Sequence, residues 1–205
     1  MLAWLIAVAA IILLVSGWKR EMIGAMSGRD FVVFAAGWML LNRVRLPIGH
    51  RLAVSAAFFF SIVFALYLMY KHAAIFRPFG NACMLMAAVF AISVCMRQLA
   101  ALAPLLGLNH PEWLLSFALG FVLLLMAKQP IGQFVVLTLG LAASRMADPL
   151  FSTSDVAAPP GEASYWDEWW LTLLLARLFA EVSLLLSLLS HWVKNAGLLL
   201  RRERK

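Results

Sequence analysis

Ser164 to Trp192 reads SYWDEWWLTLLLARLFAEVSLLLSLLSHW: an aromatic and acidic opening, then a leucine-rich run that carries one arginine, Arg177, and one glutamate, Glu181. From residue 169 to 191 the run is apolar and long enough to cross a bilayer as a helix, which takes about 20 residues. Two opposite charges in such a run need a reason. Turned at about 100° per residue from Arg177, Leu171, Leu174, Leu175, Leu178, Phe179, Val182, Leu185, Leu186 and Leu189 gather on one side. Thr172, Ala180, Ser183, Ser187, Ser190 and His191 fall on the other side, with Arg177 and Glu181. One face is therefore fit for lipid, and the other, small and polar, is expected to face a bundle.

Arg177 and Glu181 stand at i and i+4, so they are neighbours on that inner face. Either charge alone would cost about 2.5–3.5 kcal/mol at the centre of a span, and pairing reduces the penalty. Read structurally, the pair fixes how the last helix packs. Read functionally, Glu181 binds or relays a cation or proton and Arg177 sets its acidity. A relay needs a second acid at membrane depth, whereas Glu21, Asp30, Glu112 and Asp148 are expected at span ends. The structural reading is therefore favoured.

The whole chain shares the character of this segment. Its 205 residues are 64% hydrophobic and 13% charged, with a mean hydropathy of +0.90. Soluble domains run to about 45–50% apolar and about 25% charged. The expected fold class is all-α, a single membrane-embedded helical bundle over residues 1–205. Apolar runs bounded by charge, Pro or Asn suggest seven spans, at about 2–18, 31–48, 52–70, 79–101, 113–127, 131–147 and 169–191. The first starts without a basic region and is too long for a signal peptide core, with Trp4 and Trp18 near its ends as interfacial anchors. The second is short, because NRVRLP brings Arg43 and Arg45 close to the membrane face.

Charge sets the expected orientation. The tail RRERK is strongly basic and belongs in the cytoplasm, which leaves the N-terminus outside for seven spans. The loop from Ala147 to Glu168 is then outside, and it is acidic and free of Lys and Arg. Arg43, Arg45, Arg51, Arg97 and Arg145 are also outside, against eleven basic residues inside. The net charge of +7 is spread over short connections and the tail. That distribution implies contact with anionic lipid headgroups and argues against nucleic acid.

Reactive constellations are missing from the sequence. No Gly-x-Ser-x-Gly, His-Glu-x-x-His, Cys-x-x-Cys or phosphate-binding glycine loop occurs, and the four histidines fall in connections or at the end of the last span. The expectation is no cofactor, no metal and no enzymatic activity. Lys194, the one candidate for a Schiff base on the last helix, lies past the membrane end. Cys83 and Cys95 are twelve residues apart in one run, about 18 Å along a helix, too far for a disulfide. They are expected to pack inside the bundle, as are Ala88, Ala91 and Cys95 on one helix and Gly140 and Ser144 on another. Met84, Met86 and Met96 read as core filler.

Three pieces, GRDFVVFAAGWML, HPEWLLSFALGFVLLLMAKQPIGQFVVLTLG and WDEWWLTLLLARLFAEV, stand in this order in the chain. In that layout the sequence resembles the YphA-like membrane proteins of Gram-positive spore-forming bacteria. The resemblance implies a small multi-pass protein of the bacterial cytoplasmic membrane, and it assigns no catalytic or binding residue. The function to expect is a non-enzymatic membrane component acting through protein partners. The alternative is a small ion- or proton-coupled carrier built on Arg177 and Glu181.

Overall fold

A computed structural model describes residues 5, 8, 26–48, 52–77, 79–101, 111–126, 129–151 and 161–202. Of the expected first span, Leu5 and Val8 are helical and exposed; its other residues, Trp4 and Trp18 among them, lie outside the described set. Arg51, His50, His110, most of the acidic loop and the last three residues of the tail lie outside it too.

The first described helix, α1, spans Gly28–Leu41. Ser27 caps it, its hydroxyl accepting from the Asp30 amide at 3.1 Å, which satisfies one of the donors a helix start leaves open. Fourteen residues rise about 21 Å, less than the roughly 30 Å of a hydrocarbon core. The chain then leaves the helix at Asn42 and forms a β-hairpin, β1 (Arg45–Ile48) and β2 (Leu52–Ser55), paired antiparallel with Arg45 opposite Ser55 and Ile48 opposite Leu52. Among the described residues the chain is otherwise all-helical, as expected; the hairpin takes the place of helix at the end of the run expected to span at 31–48 and at the start of that at 52–70. Pro47 supplies a cause: it has no N–H to donate inside a helix, and it disfavours a helical Leu46 before it. The hairpin absorbs Arg43 and Arg45, both exposed, outside the helical core.

The second helix, α2, spans Ala56–Lys71 and returns antiparallel to α1. Their far ends are tied together, with Lys71 Nζ 2.7 Å from Asp30 Oδ2 and lying over the Tyr67 ring. Burial pushes the Asp30 carboxyl up, but hydrogen bonds from Lys71 and Ser27 outweigh it and hold it below its ordinary value of 3.8. Hydrogen bonding to Asp30 raises Lys71 above its ordinary 10.5. The pair's stabilisation is therefore complete between those two values. It fades as pH falls through the lowered aspartate value or rises through the raised lysine value. Lys71→Met should flatten both limbs of a stability-versus-pH curve, and limbs as steep as those of the parent would dismiss the pair as a contributor.

Four further helices follow among the described residues: α3 (Phe79–Ala101), α4 (Pro111–Met126), α5 (Pro130–Phe151) and α6 (Ala163–Arg202). Among the described residues three helices are long and apolar enough to cross a membrane, at Gly80–Leu99, Pro130–Asp148 and Ala163–Trp192. α2 and α4 are apolar but shorter. The last helix begins at Ala163 rather than 169 and α5 runs on to Phe151, so both ends of the expected Ala147–Glu168 loop are helix.

α5 is the central helix. Every residue from Ile131 to Thr138 is buried, with α2, α3 and α6 packed around it. Its polar side chains turn back on their own helix: Thr138 Oγ1 donates to the Phe134 carbonyl at 2.7 Å and Ser144 Oγ to that of Leu141 at 2.8 Å. Gly140 is the closest point of α3, where an added Cβ would lie 2.6 Å from Val89 Cγ1. Gly140 and Ser144 are thus buried, as expected. On α3 the expectation fails: Ala91 and Cys95 are exposed, Ala88 is half-buried, and Ala82, Val89 and Ser93 face inward instead. Cys83 is exposed as well, and Met84 projects outward while Met86 and Met96 pack against the core. Small residues on a span mark either a close helix contact or a face that lipid covers, and size alone does not separate the two.

The aromatic opening of α6 drives into the centre of this assembly. Tyr165, Trp166, Trp169 and Trp170 are all buried. Trp169 stacks edge-on to Phe134 and lies 5.6 Å from Phe34, while Trp38 meets both Trp166 and Trp170. Just before the helix, Gly161 sits at φ +80°, a conformation that costs glycine little, with its Cα against Ser55 and Phe58. That turn seats the start of α6 on the hairpin end of α2.

Candidate functional site

Two groups of charged side chains lie along α6, at opposite ends of the bundle. The first is the expected pair. Arg177 is buried, and its Nη2 lies 3.5 Å from Glu181 Oε1; its Nη1 lies 3.4 Å from Oε1 of Gln133 on α5. The glutamine was not foreseen, because nothing in the sequence tells which polar residue of one helix meets another.

The depth of the pair differs from the expectation. Gln133 is the fourth residue of α5, so Arg177 stands about one turn from that helix's end and Glu181 one turn further out. The charges that fall near the middle of the apolar run are therefore close to one end of the packed bundle. Glu181 reflects this: about a third of its side chain is exposed, against 11% for Arg177. From Val182 to Trp192 every residue of α6 is exposed, the serines along with the leucines. Ser183, Ser187 and Ser190 donate to carbonyls three residues back in their own helix. The expected inward face of small and polar residues is covered only as far as Glu181. Accordingly Arg177→Leu, which strips Gln133 and Glu181 of a shared partner, should destabilise the protein clearly more than Glu181→Leu. Equal losses on thermal unfolding in detergent would contradict this difference in depth.

The second group was not foreseen. At the hairpin end, Arg145 of α5 reaches Glu168 of α6, Nη2 to Oε2, at 2.5 Å. Asp148 of α5 lies between two guanidiniums, 3.8 Å from Arg145 Nη1 and 3.4 Å from Arg97 Nη2 of α3. Asp148 and Glu168 had been assigned to an external loop and Arg97 and Arg145 to the outer surface. Instead their side chains are at least three-quarters buried. Two acids and two bases from three helices thus form one network where α3, α5 and α6 meet. Each of the four stands near the end of an apolar run, and nothing in the sequence turns them inward. Between the two groups α6 rises about 13 Å over the nine residues from Glu168 to Arg177. Trp169 occupies part of that interval, its Nε1 donating to Thr138 Oγ1 at 3.1 Å.

Among the described residues no three His, Cys, Asp or Glu side chains converge as a metal site would require. Both charge groups are arginine–carboxylate systems, suited to locking helices, to passing protons along paired groups, or to gripping an oxyanion with a guanidinium. Compared with protein-family models, curated proteins and solved structures, the chain matches none of them.

Proposed function

We propose that this protein is a non-enzymatic component of a bacterial cytoplasmic membrane that works by holding a protein partner through α6, and that it belongs with the YphA-like proteins it resembles. One observation carries the reading. Residues 182–192 continue α6 beyond the level at which α4 ends and α5 begins, with a leucine face and a serine face that none of the described helices covers. Small side chains at 183, 187 and 190 permit close helix approach, and the leucines supply packing area. A photo-crosslinking residue at Ser187 should give a discrete protein adduct in native membranes, whereas one at Leu66, exposed on α2, should not. Labelling of lipid alone from Ser187 would overturn the reading.

A second reading, a small proton- or cation-coupled carrier, draws on the charged network at Glu168, which adds buried carboxylates to the Arg177 and Glu181 pair. It requires a Glu181-dependent flux in reconstituted vesicles. A flux unchanged in Glu181→Gln would remove it.

Both readings share the proposed seven-span arrangement, with the hairpin end outside and the basic tail in the cytoplasm, where it meets anionic headgroups. In a background lacking Cys83 and Cys95, a cysteine at Ser154 should react with an impermeant reagent on intact cells and one at Arg204 should not. The reverse pattern would invert the topology.

A further inference from the structure

Most of the β-hairpin lies outside the packed bundle. Val54 and Ser55 of β2 are buried against it, whereas Arg43, Val44, Arg45, Leu46, Pro47 and Ala53 are all exposed. Ser55, at the foot of the ladder, lies against Gly161. Two residues after that glycine the apolar run of α6 begins, at Ala163. The ladder therefore leaves the bundle at the level where a helix long enough to cross a membrane starts.

The ribbon has two unlike faces. Arg45 pairs with Ser55 and Leu46 with Val54, and side chains alternate along each strand. Leu46 therefore shares a face with Val54, as does Val44, whose carbonyl accepts from the Ala56 amide at 2.9 Å. Arg45 and Ala53 lie on the other face. Val44 is 45% exposed and Leu46 41%. Among the described residues neither Arg43 nor Arg45 has an ion-pair partner, and no Asp or Glu occurs between Asp30 and Glu112.

Neither water nor hydrocarbon suits such a ribbon. In water Val44 and Leu46 would stay uncovered, and two strands alone are marginal there. In hydrocarbon the outer edges would hold unpaired N–H and C=O groups, which lipid tails cannot satisfy. A third strand from another chain is opposed by Pro47. The bond from Ala56 to Val44 makes 46 and 54 the next hydrogen-bonded pair, so position 47 turns its nitrogen to the outer edge, where proline has no N–H to offer. The membrane interface meets every requirement. Headgroups and water satisfy the edges, the acyl margin takes the two apolar side chains, and lipid phosphates answer the two guanidiniums.

We propose that the hairpin lies in the lipid interface as an amphipathic ribbon, with Val44 and Leu46 in the acyl margin and Arg43 and Arg45 on the phosphates of anionic phospholipid. This placement holds whichever side of the membrane the hairpin faces, and whatever α6 holds. The test uses the full chain in neutral-detergent micelles, in a Cys83→Ala/Cys95→Ala background, with Leu46→Cys carrying a fluorophore. Phosphatidylglycerol or phosphatidylcholine, each bearing a spin label high on its acyl chain, is titrated in and quenching is followed.

Phosphatidylglycerol should reach half-quenching at a concentration roughly tenfold or more below that of phosphatidylcholine, the worth of two arginines at an anionic surface. Arg43→Gln/Arg45→Gln, which alters only exposed side chains, should bring the two lipids together. Val44→Cys, on the same face, carries the fluorophore if Leu46→Cys fails to fold. Absence of quenching by either lipid overturns the proposal, whether the label is then open to water or covered by protein. So does equal quenching by both lipids in the parent, or a preference for phosphatidylglycerol that the double glutamine variant retains.

Discussion

Glu168→Leu is expected to cost about 3–5 kcal/mol of stability, the typical loss when one partner of a buried ion pair is removed. The side chain is only 7% exposed, and removing it leaves the Arg145 guanidinium in a poorly solvated interior with Asp148 at 3.8 Å as its remaining counter-charge. The same reasoning predicts the rescue. Replacing Glu168 and Arg145 together with leucine leaves Arg97 and Asp148 paired and no charge stranded, so most of the loss should return. Reversible unfolding of the three variants in mixed micelles would measure both effects. If the double variant is as unstable as the sum of its parents, the network is not a set of compensating charges and its burial has been misjudged.

Trp169→Ala should lose a comparable amount, about 3–5 kcal/mol, for a different reason. The indole is fully buried between Phe34, Phe134, Trp166 and Trp170. Its removal opens a cavity bounded by rings on α1, α5 and the neighbouring turns of α6, each of which already holds other ring contacts. Trp169→Phe should lose less than half as much. It keeps a ring in the slot, and Thr138 Oγ1 still donates to Phe134 when it no longer accepts from the indole. Leu185→Ala, on the exposed part of α6, should change stability by less than about 0.5 kcal/mol. A loss at Leu185 as large as that at Trp169 would mean that residues 182–192 are packed within the monomer.

Helical character was legible because it rests on composition and run length, which a sequence states directly. The break at Pro47 was also within reach, yet apolar residues on both sides of it fitted a span as well as a strand. Pairing between Arg145 and Glu168 was beyond reach. Each stands near a charge-rich boundary, and only the packing of α6 against α5 turns both inward. The Arg177 and Glu181 spacing was read correctly as a neighbouring pair on the helix. Its depth was not, since the run of leucines continues past the point where α4 and α5 have ended. Hydropathy reports how far a helix stays apolar, and is silent on where its neighbours stop.

The tryptophans that fill the centre belong to α6, which follows α1 to α5 in the chain. Without α6, the rings of Phe34, Trp38, Phe58 and Phe134 on α1, α2 and α5 lose their tryptophan and tyrosine partners. The bundle therefore cannot close in the order in which it is inserted, and a chain cut short before Ala163 carries every earlier helix but no keystone. For a membrane protease that surveys loosely packed helices, such a fragment presents an open seam where the finished protein presents none.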